Sequence, residues 1–367
     1  MKIHSFYAAR AAWESQRGMH ADNGVILLDS VASYLPEEFR HRFDLAMDAQ
    51  PTLTTDPNSG IPAFLTTLID PDVFEILFAP NKAALILGEV KKGTWLDETQ
   101  MFPVVEHTGE VSSYGDFAEN GHAGANTNFP QRQSYLFQTI KEYGERELAR
   151  AGLAKINWVG EIDKAAATVL AKFMNLTYFF GVAGLQNYGL LNDPNLSAAL
   201  TPATKAAGGT AWINSSGQIN ATANEVYADI QAMFIQLVSQ TGGLVQQDSK
   251  LVLALSPSSS VALTATNSFN VNVSDLLKKN FPNIRIETAV QYGKLSASNP
   301  QGVAAGNLVQ LIAEETEGQR TGYCAFSEKM RAHPIIRAMS SFKQKETSGS
   351  WGAIIRMPVN IAQMLGV

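Results

Sequence analysis

Six histidines, one cysteine and a scatter of carboxylates are the side chains here from which chemistry would have to be built. The histidines are His4, His20, His41, His107, His122 and His333. None has the H-x-H or H-E-x-x-H spacing that turns two imidazoles toward one metal ion. Asp56-Pro57-Asn58-Ser59-Gly60 offers oxygens but no EF-hand loop and no terminal Glu, so it reads as a turn. Gly121-His122-Ala123-Gly124 lacks the Lys-Ser/Thr ending and the strand-to-helix setting that a phosphate loop needs. No G-x-S-x-G elbow occurs. Cys324 is the only cysteine, which excludes an intrachain disulfide and a thiolate cluster. Its setting, TGYCAFS, reads as a strand in which it serves as a small buried hydrophobe. Glu142, Glu145, Glu147, Glu161 and Asp163 alternate with Lys and Arg at helix-pairing distances. That spacing makes a solvated helical face or an ion-pair network between subunits, not an acid–base pair. The residues therefore predict no catalytic side chain, no cofactor-binding residue and no metal ligand.

The 367 residues suffice for a large core, and for two subdomains. An apolar fraction of 45% with 17% charged residues is ordinary for a globular chain. The 28 basic and 34 acidic residues leave a net charge of -6, which disfavours tight binding to free nucleic acid. It does not conflict with DNA that is merely confined nearby. The first residues lack an apolar run of signal-peptide length, and no later run reaches the ~18 apolar residues of a membrane span. An intracellular folding site fits the cysteine count.

The elements that would position these side chains are mixed. Residues 1–60 read as a polar arm with short helices near 26–34 and 36–47 and a turn-rich linker over 50–60. Two short helices and a strand through Ala83–Leu87 are expected next. The clearest element is a long helix in EIDKAAATVLAKFMNLTYFFGV, where Ile162, Ala166, Val169, Leu170, Phe173, Leu176 and Phe180 recur at three- and four-residue steps. That stripe predicts burial of Phe173. Gly181 and Gly184 stop the helix, and Asn192-Asp193-Pro194 turns the chain. Thr222-Ala223-Asn224-Glu225 has the form of a capping box ahead of a helix that buries Val226, Ile230, Met233, Phe234, Leu237 and Val238. A hairpin is expected at Ser216-Gly217. Strands are expected at Leu251–Leu255, Ile284–Val290, Leu308–Ala313 and Gly322–Phe326, with a helix at Ser274–Asn280. Residues 341–358 look like a hairpin about Ser348-Gly349. Without a regular βαβ beat, the class is α+β.

The segment TQMFPVVEHTGEVSSYGDFAENGHAGANTNFPQRQ, residues 99–133, is different in kind. Apolar residues are sparse, and Gly109, Gly115, Gly121 and Gly124 exclude a helix, while flanking valines and aromatics favour strands. It reads as a long hairpin arm, too long for an ordinary loop. Such a segment is a functional lid or an arm stabilised by a neighbouring subunit.

The phrases YGDFAENG (114–121), FQTIKEYGERELARAG (137–152), FFGVAGLQNYGLLNDP (179–194) and SFKQKETSGSWGAIIRMPVNIAQML (341–365) resemble those of the major capsid proteins of tailed bacteriophages. The resemblance runs from about Ile61 to Val367. It implies the tailed-phage major capsid fold, with an N-terminal arm (1–60), an extended loop (103–135) and a spine helix (158–182). The peripheral domain would combine 61–102, 136–197 and 329–367, and the axial domain would be 198–328. It further implies a structural protein without catalysis or cofactor, assembling with itself into hexamers and pentamers of an icosahedral shell around DNA held by confinement. Portal, scaffolding and decoration proteins would be its other partners. The virion would be its location after assembly in a bacterial host cytoplasm, with no membrane involved. Tyr114, Asp116, Phe117, Asn120, His122, Asn126, Phe129 and Arg132 become candidates for contact between subunits.

Two departures from relatives are expected. No long charged scaffold helix precedes the arm, which places any assembly-directing segment elsewhere. No Lys lies between Lys92 and Lys141, so the loop has no donor for the Lys–Asn crosslink that some relatives form. The alternatives are an encapsulin-like compartment shell, an enzyme with residues 109–129 as an active-site lid, and a tail or baseplate protein.

Overall fold

The computed structural model describes residues 81–367 except Ala118, Ala154, Lys155 and Ser215. The expected N-terminal arm, the helices and linker before residue 81, and His4, His20, His41 and Asp56–Gly60 lie outside the described residues.

Ala83–Leu87 forms a short helix, α1, in place of the expected strand. A five-residue apolar run is ambiguous between the two periods. The buried pair Ala83 and Ile86 has helical spacing, and the Asn175 side chain accepts from the Ala83 N–H at 3.1 Å. The chain continues through β1 (Glu89–Lys91), β2 (Thr99–Met101), β3 (Val104–Gly109), β4 (Ala123–Asn128), β5 (Gln131–Gln133) and β6 (Tyr135–Gly144). Helices α2 (Glu145–Leu153), α3 (Trp158–Phe180) and α4 (Ala223–Gln240) follow. The remainder is β7 (Leu251–Leu255), α5 (Pro257–Val261), α6 (Val273–Asn280), β8 (Ile284–Thr288), β9 (Leu308–Ala313), β10 (Glu315–Thr316), β11 (Gln319–Arg320), β12 (Gly322–Ala332), β13 (Ile336–Arg337), β14 (Ser341–Ile355) and β15 (Ile361–Leu365).

Two sheets organise the molecule. In the first, β14 pairs antiparallel with β6 on one side and with β12 and β13 on the other, while β1 lies parallel to β12. The expected hairpin about Ser348-Gly349 is one uninterrupted 15-residue strand. Ser-Gly reads as a turn from sequence, but here glycine is required because Leu136 and the Ser327 hydroxyl press against its backbone. The second sheet has the order β15-β9-β7-β8, so residues 361–365 join the strands of residues 251–313, not those of 329–358. β7 and β8 run parallel across α5 and α6, a βαβ unit inside an α+β arrangement.

Strand β7 is buried on both faces and explains the layering. Leu251, Leu253 and Leu255 meet α4 and α6, packing with Val226, Ile230, Met233, Leu237 and Leu277. Val252 and Ala254 face the opposite way, toward Phe179 of α3, Ile86 and Cys324. Cys324 is fully buried as expected, and burial pushes its thiol pKa up. The predicted capping box of α4 is present, with Glu225 closing on the Thr222 N–H at 2.7 Å. The coil before α4 is stitched to that helix by buried polar groups. The Lys205 ammonium meets Asp229, whose carboxylate also accepts from Trp212 Nε1 at 2.7 Å. The turn at Ser216-Gly217 closes through Gly217 N–H and Asn214 C=O.

Helix α3 has 23 residues and spans about 34 Å. Asn157 caps its start, and Gly181, at φ 62°, ends it with an N–H bond to Thr177 C=O. A side chain at 181 would strike the Asn187 carbonyl. The expected stripe is rotated. The buried row is Ala166, Leu170, Met174 and Tyr178, joined by Phe179, whereas Val169 and Phe173 keep 52% and 37% exposure. The helix carries two apolar faces, and periodicity does not say which one β12, β14 and α1 cover. Lys172 is also buried, which lowers its pKa to about 8.

Candidate assembly surfaces

The arm is a two-part antiparallel ladder. Its foot pairs β2 with β5, and beyond it β3 pairs with β4 over six registered pairs from Val104/Asn128 to Gly109/Ala123. All twelve residues of β3 and β4 are exposed, so this ribbon has no core among the described residues. A two-stranded ribbon of this kind is marginal alone. The Glu110 N–H to His122 C=O bond closes it, and Gly121, at φ 88°, allows the close approach. Val111, Tyr114 and Phe117 beyond that point are almost wholly exposed.

The foot, by contrast, is firmly held. Arg132 Nη2 meets Asp193 Oδ2 at 2.9 Å and its guanidinium lies 4.9 Å from the Tyr188 ring centroid. The Gln186 N–H donates to Gln133 Oε1, and Asn187 Nδ2 bridges the carbonyls of Gln133 and Ser350. The loop leaving α3 thus fixes the direction in which the arm departs.

Tyr114, Asp116, Phe117, Asn120 and His122 are together at the exposed tip. Asn126 lies on β4 opposite Glu106, and Phe129 is exposed where the ribbon meets its foot. Arg132 departs from the other seven. It is buried and spent on Asp193 of its own chain, so it anchors the arm instead of offering an outer surface.

The carboxylates expected on a helical face or between subunits are mostly paired inside the chain. Glu142 lies on a strand opposite Lys343, at 2.9 Å, and Glu145 meets Arg337 at 2.8 Å. Glu161 meets Lys164 at 3.0 Å. Asp163 and the fully buried Glu346 both reach Lys141, at 2.5 Å each. Burial alone would lower the Lys141 pKa, but its bonds and charge pairing with Asp163 and Glu346 outweigh that and raise it. Glu161–Lys164 has the helical spacing that the sequence shows, whereas the other pairs form across strands and between sheet and helix, which spacing does not reveal.

A second surface had no sequence signal. The face of β6 and β14 turned away from α3 carries Leu136 and Ile140, exposed by 46% and 60%. Both parities of β6 are apolar, with Tyr135 and Phe137 packing on Phe173, so alternation does not mark the outer row.

Among the described residues no group of three or more His, Cys, Asp and Glu is placed to hold a metal ion. A cleft of about 230 Å³ beside α1 is lined by Arg285, Lys250, Glu314 and Glu315, whose charges pair with one another. No described helix is long and apolar enough to cross a membrane.

The model of the Pa193 gp26 major capsid protein matches residues 52–366, most of the sequence. The chain belongs to that family. This major capsid protein therefore forms the structural shell of a capsid. Its fold is similar to "The capsid of Myoviridae Phage XM1", with a TM-score of 0.66 at 14% identity over 84% of this chain and 100% of that one. A chain of Mycobacterium phage Ogopogo superposes with a TM-score of 0.53 at 10% identity, covering 84% of this chain and 100% of its own. The capsid of an empty GTA particle gives 0.52 at 10% identity, over 83% and 96%. No curated protein matches. The α+β fold with a projecting hairpin and a long helix is thus that of tailed-phage capsid proteins.

Proposed function

We propose that this capsid protein assembles into hexamers and pentamers of a closed icosahedral shell around phage DNA. The ribbon of residues 103–135 then acts as an extended loop lying over an adjacent subunit. In this reading α3 is the spine helix, residues 198–328 supply most of the axial domain, and the sheet built on β14 is peripheral. The observation that carries the reading is the ribbon itself: twelve consecutively paired residues, all exposed, with apolar side chains that nothing among the described residues covers. Burying such residues is worth roughly 25 cal/mol per Å², and a neighbouring subunit supplies the area that the chain lacks. The net charge of -6 fits DNA held by confinement instead of by tight binding. Portal, scaffolding and decoration proteins complete the set of partners.

Replacing residues 104–128 by a short Gly-Ser turn tests the arm. The expected product is a folded subunit, since the Arg132–Asp193 foot is retained, that no longer yields shells in negative-stain electron microscopy. Normal shells from that variant would overturn the reading, and so would a subunit that fails to fold. An enzyme with a lid over residues 109–129 would instead lose turnover while staying a small oligomer.

A further inference from the structure

The arm tip holds one dipeptide whose chemistry the shell reading does not use. Asn120-Gly121 is the one Asn-Gly step among the described residues, and Asn23-Gly24 lies outside them. An asparagine followed by glycine is open to attack on its own side-chain amide. The backbone nitrogen of the glycine adds to the asparagine Cγ and closes a five-membered imide. Glycine favours this closure because no Cβ crowds the ring and its backbone reaches conformations that other residues avoid. Gly121, at φ 88°, already sits in such a region.

Two further observations leave the reaction unopposed here. Asn120 and Gly121 are both exposed and belong to neither helix nor strand. Among the described residues neither the Asn120 side chain nor the Gly121 N–H has a hydrogen-bond partner. The nearby asparagines lack this freedom. Asn126 and Asn128 are registered in the β3–β4 ladder, and Asn128 Oδ1 accepts from the Phe129 N–H at 2.8 Å. They also precede Thr127 and Phe129, whose side chains hinder the ring.

From this geometry we propose that Asn120-Gly121 modifies itself in the free subunit, converting position 120 to aspartate and isoaspartate. The bond from the Gly121 nitrogen to Asn120 Cγ forms as the Cγ–Nδ2 bond breaks, and Nδ2 leaves as ammonia with the Gly121 amide proton. Water then opens the imide at either carbonyl, so no oxidant or other reactant is required. Both products add a negative charge to an arm that holds Glu106, Glu110, Asp116 and Glu119 and no Lys or Arg between residues 103 and 130. The isoaspartate also runs the backbone through Cγ, lengthening by one atom the turn that the Glu110–His122 bond closes. That turn is tight: a Cβ on Gly121 would lie 3.1 Å from the Ser112 nitrogen. A tip altered in charge and length fits a covering subunit less well. On the reading above, in which an adjacent subunit covers the arm, assembly holds the tip out of the attack geometry. Unassembled subunits therefore age chemically and lose competence for assembly, while assembled ones keep Asn120.

The test holds the full-length subunit at neutral pH and follows its digest by tandem mass spectrometry. Position 120 is expected to gain one mass unit, in two chromatographically separate forms, at least tenfold faster than positions 126 and 128. Asn120→Gln, whose side chain must close a larger ring, is expected to stop the change at that position. A synthetic peptide of residues 114–126 sets the clock. An intact Asn120 in the subunit when that peptide has half converted would overturn the assignment. In purified particles the conversion is expected to run at least tenfold slower than in the free subunit. Equal rates in particle and subunit would leave the modification standing and remove the covering of the tip, so the two failures are told apart. Asn120→Asp is expected to lower particle yield in infected cells severalfold while leaving the thermal midpoint of the subunit unchanged. Wild-type yield from Asn120→Asp would overturn the link between the added charge and assembly.

Discussion

Arg132 and Asp193 meet at 2.9 Å although 61 residues separate them, and the contact ties the foot of the arm to the loop that leaves the long helix. The Asp193 carboxylate is fully buried, with its other oxygen accepting from the Asn195 N–H. Removing the cation strands a buried charge, which is the expensive half of such a pair. Arg132→Met is expected to destabilise the subunit by about 3 kcal/mol in urea unfolding. The double variant Arg132→Met/Asp193→Asn is expected to recover a large part of that loss. A loss in the double variant equal to the sum of the two single losses would show that the residues are not coupled.

The Lys141 cluster makes a second, independent prediction. Glu346 is fully buried and Lys141 is the cation that reaches it, with Asp163 on α3 completing the link between sheet and helix. Lys141→Met is expected to be more damaging than Asp163→Asn, because Asp163 is half exposed and Glu346 is not. Thermal melts of the two variants check the order. The expectation fails if Asp163→Asn proves equally damaging.

Acid and alkali should act through different groups. The N–H groups of Thr222 and Ala206 hold Glu225 below its ordinary pKa of 4.5. Its contribution is therefore present above that value and lost as pH falls through the lower folded one. Lys141 is held above its ordinary 10.5, so its contribution is present below that value and lost as pH rises through the folded one. Urea midpoints of Glu225→Gln should fall less than those of wild type as pH drops from 6 to below the ordinary 4.5. An unchanged acid limb would remove Glu225 from this role.

How far the residues foretold this architecture depended on range. Features decided within a few residues were legible: the Thr222–Glu225 capping box, the Gly181 stop, the turn at Ser216-Gly217 and the strand Leu251–Leu255. The arm was legible for a different reason, since a glycine-punctuated segment without apolar periodicity has no core to join. Features decided by partners distant in sequence were not. Gly349 looks like a turn until Leu136 and Ser327 are seen pressing on it, and Arg132 looks like a surface cation until Asp193 is found beneath it. The open face on β6 and β14 was invisible because it exists only once β6, β12, β13 and β14 are registered side by side.

Helix α3 supplies the sharpest comparison between a buried ring and a half-covered one. Phe179 is fully buried, with the Tyr292 ring set edge-on at 5.9 Å, at the junction of α3 with the second sheet. Phe173, expected to be buried, keeps 37% exposure and touches only the edge of the core, through Phe137 at 4.6 Å and Tyr135 at 5.9 Å. Phe179→Ala opens a cavity in close-packed surroundings and is expected to cost about 3–5 kcal/mol. Phe173→Ala removes a partly hydrated ring and is expected to cost about 1–2 kcal/mol. Even Phe173→Asp leaves its carboxylate a path to water, so the subunit is expected to fold, with a lower midpoint, where full burial would have forbidden it. Urea unfolding of the three variants decides. Equal losses at 173 and 179 would mean that the outer side of α3 is covered in the isolated subunit. A folded Phe173→Asp subunit that fails to form shells would place that side of the helix at a contact between copies.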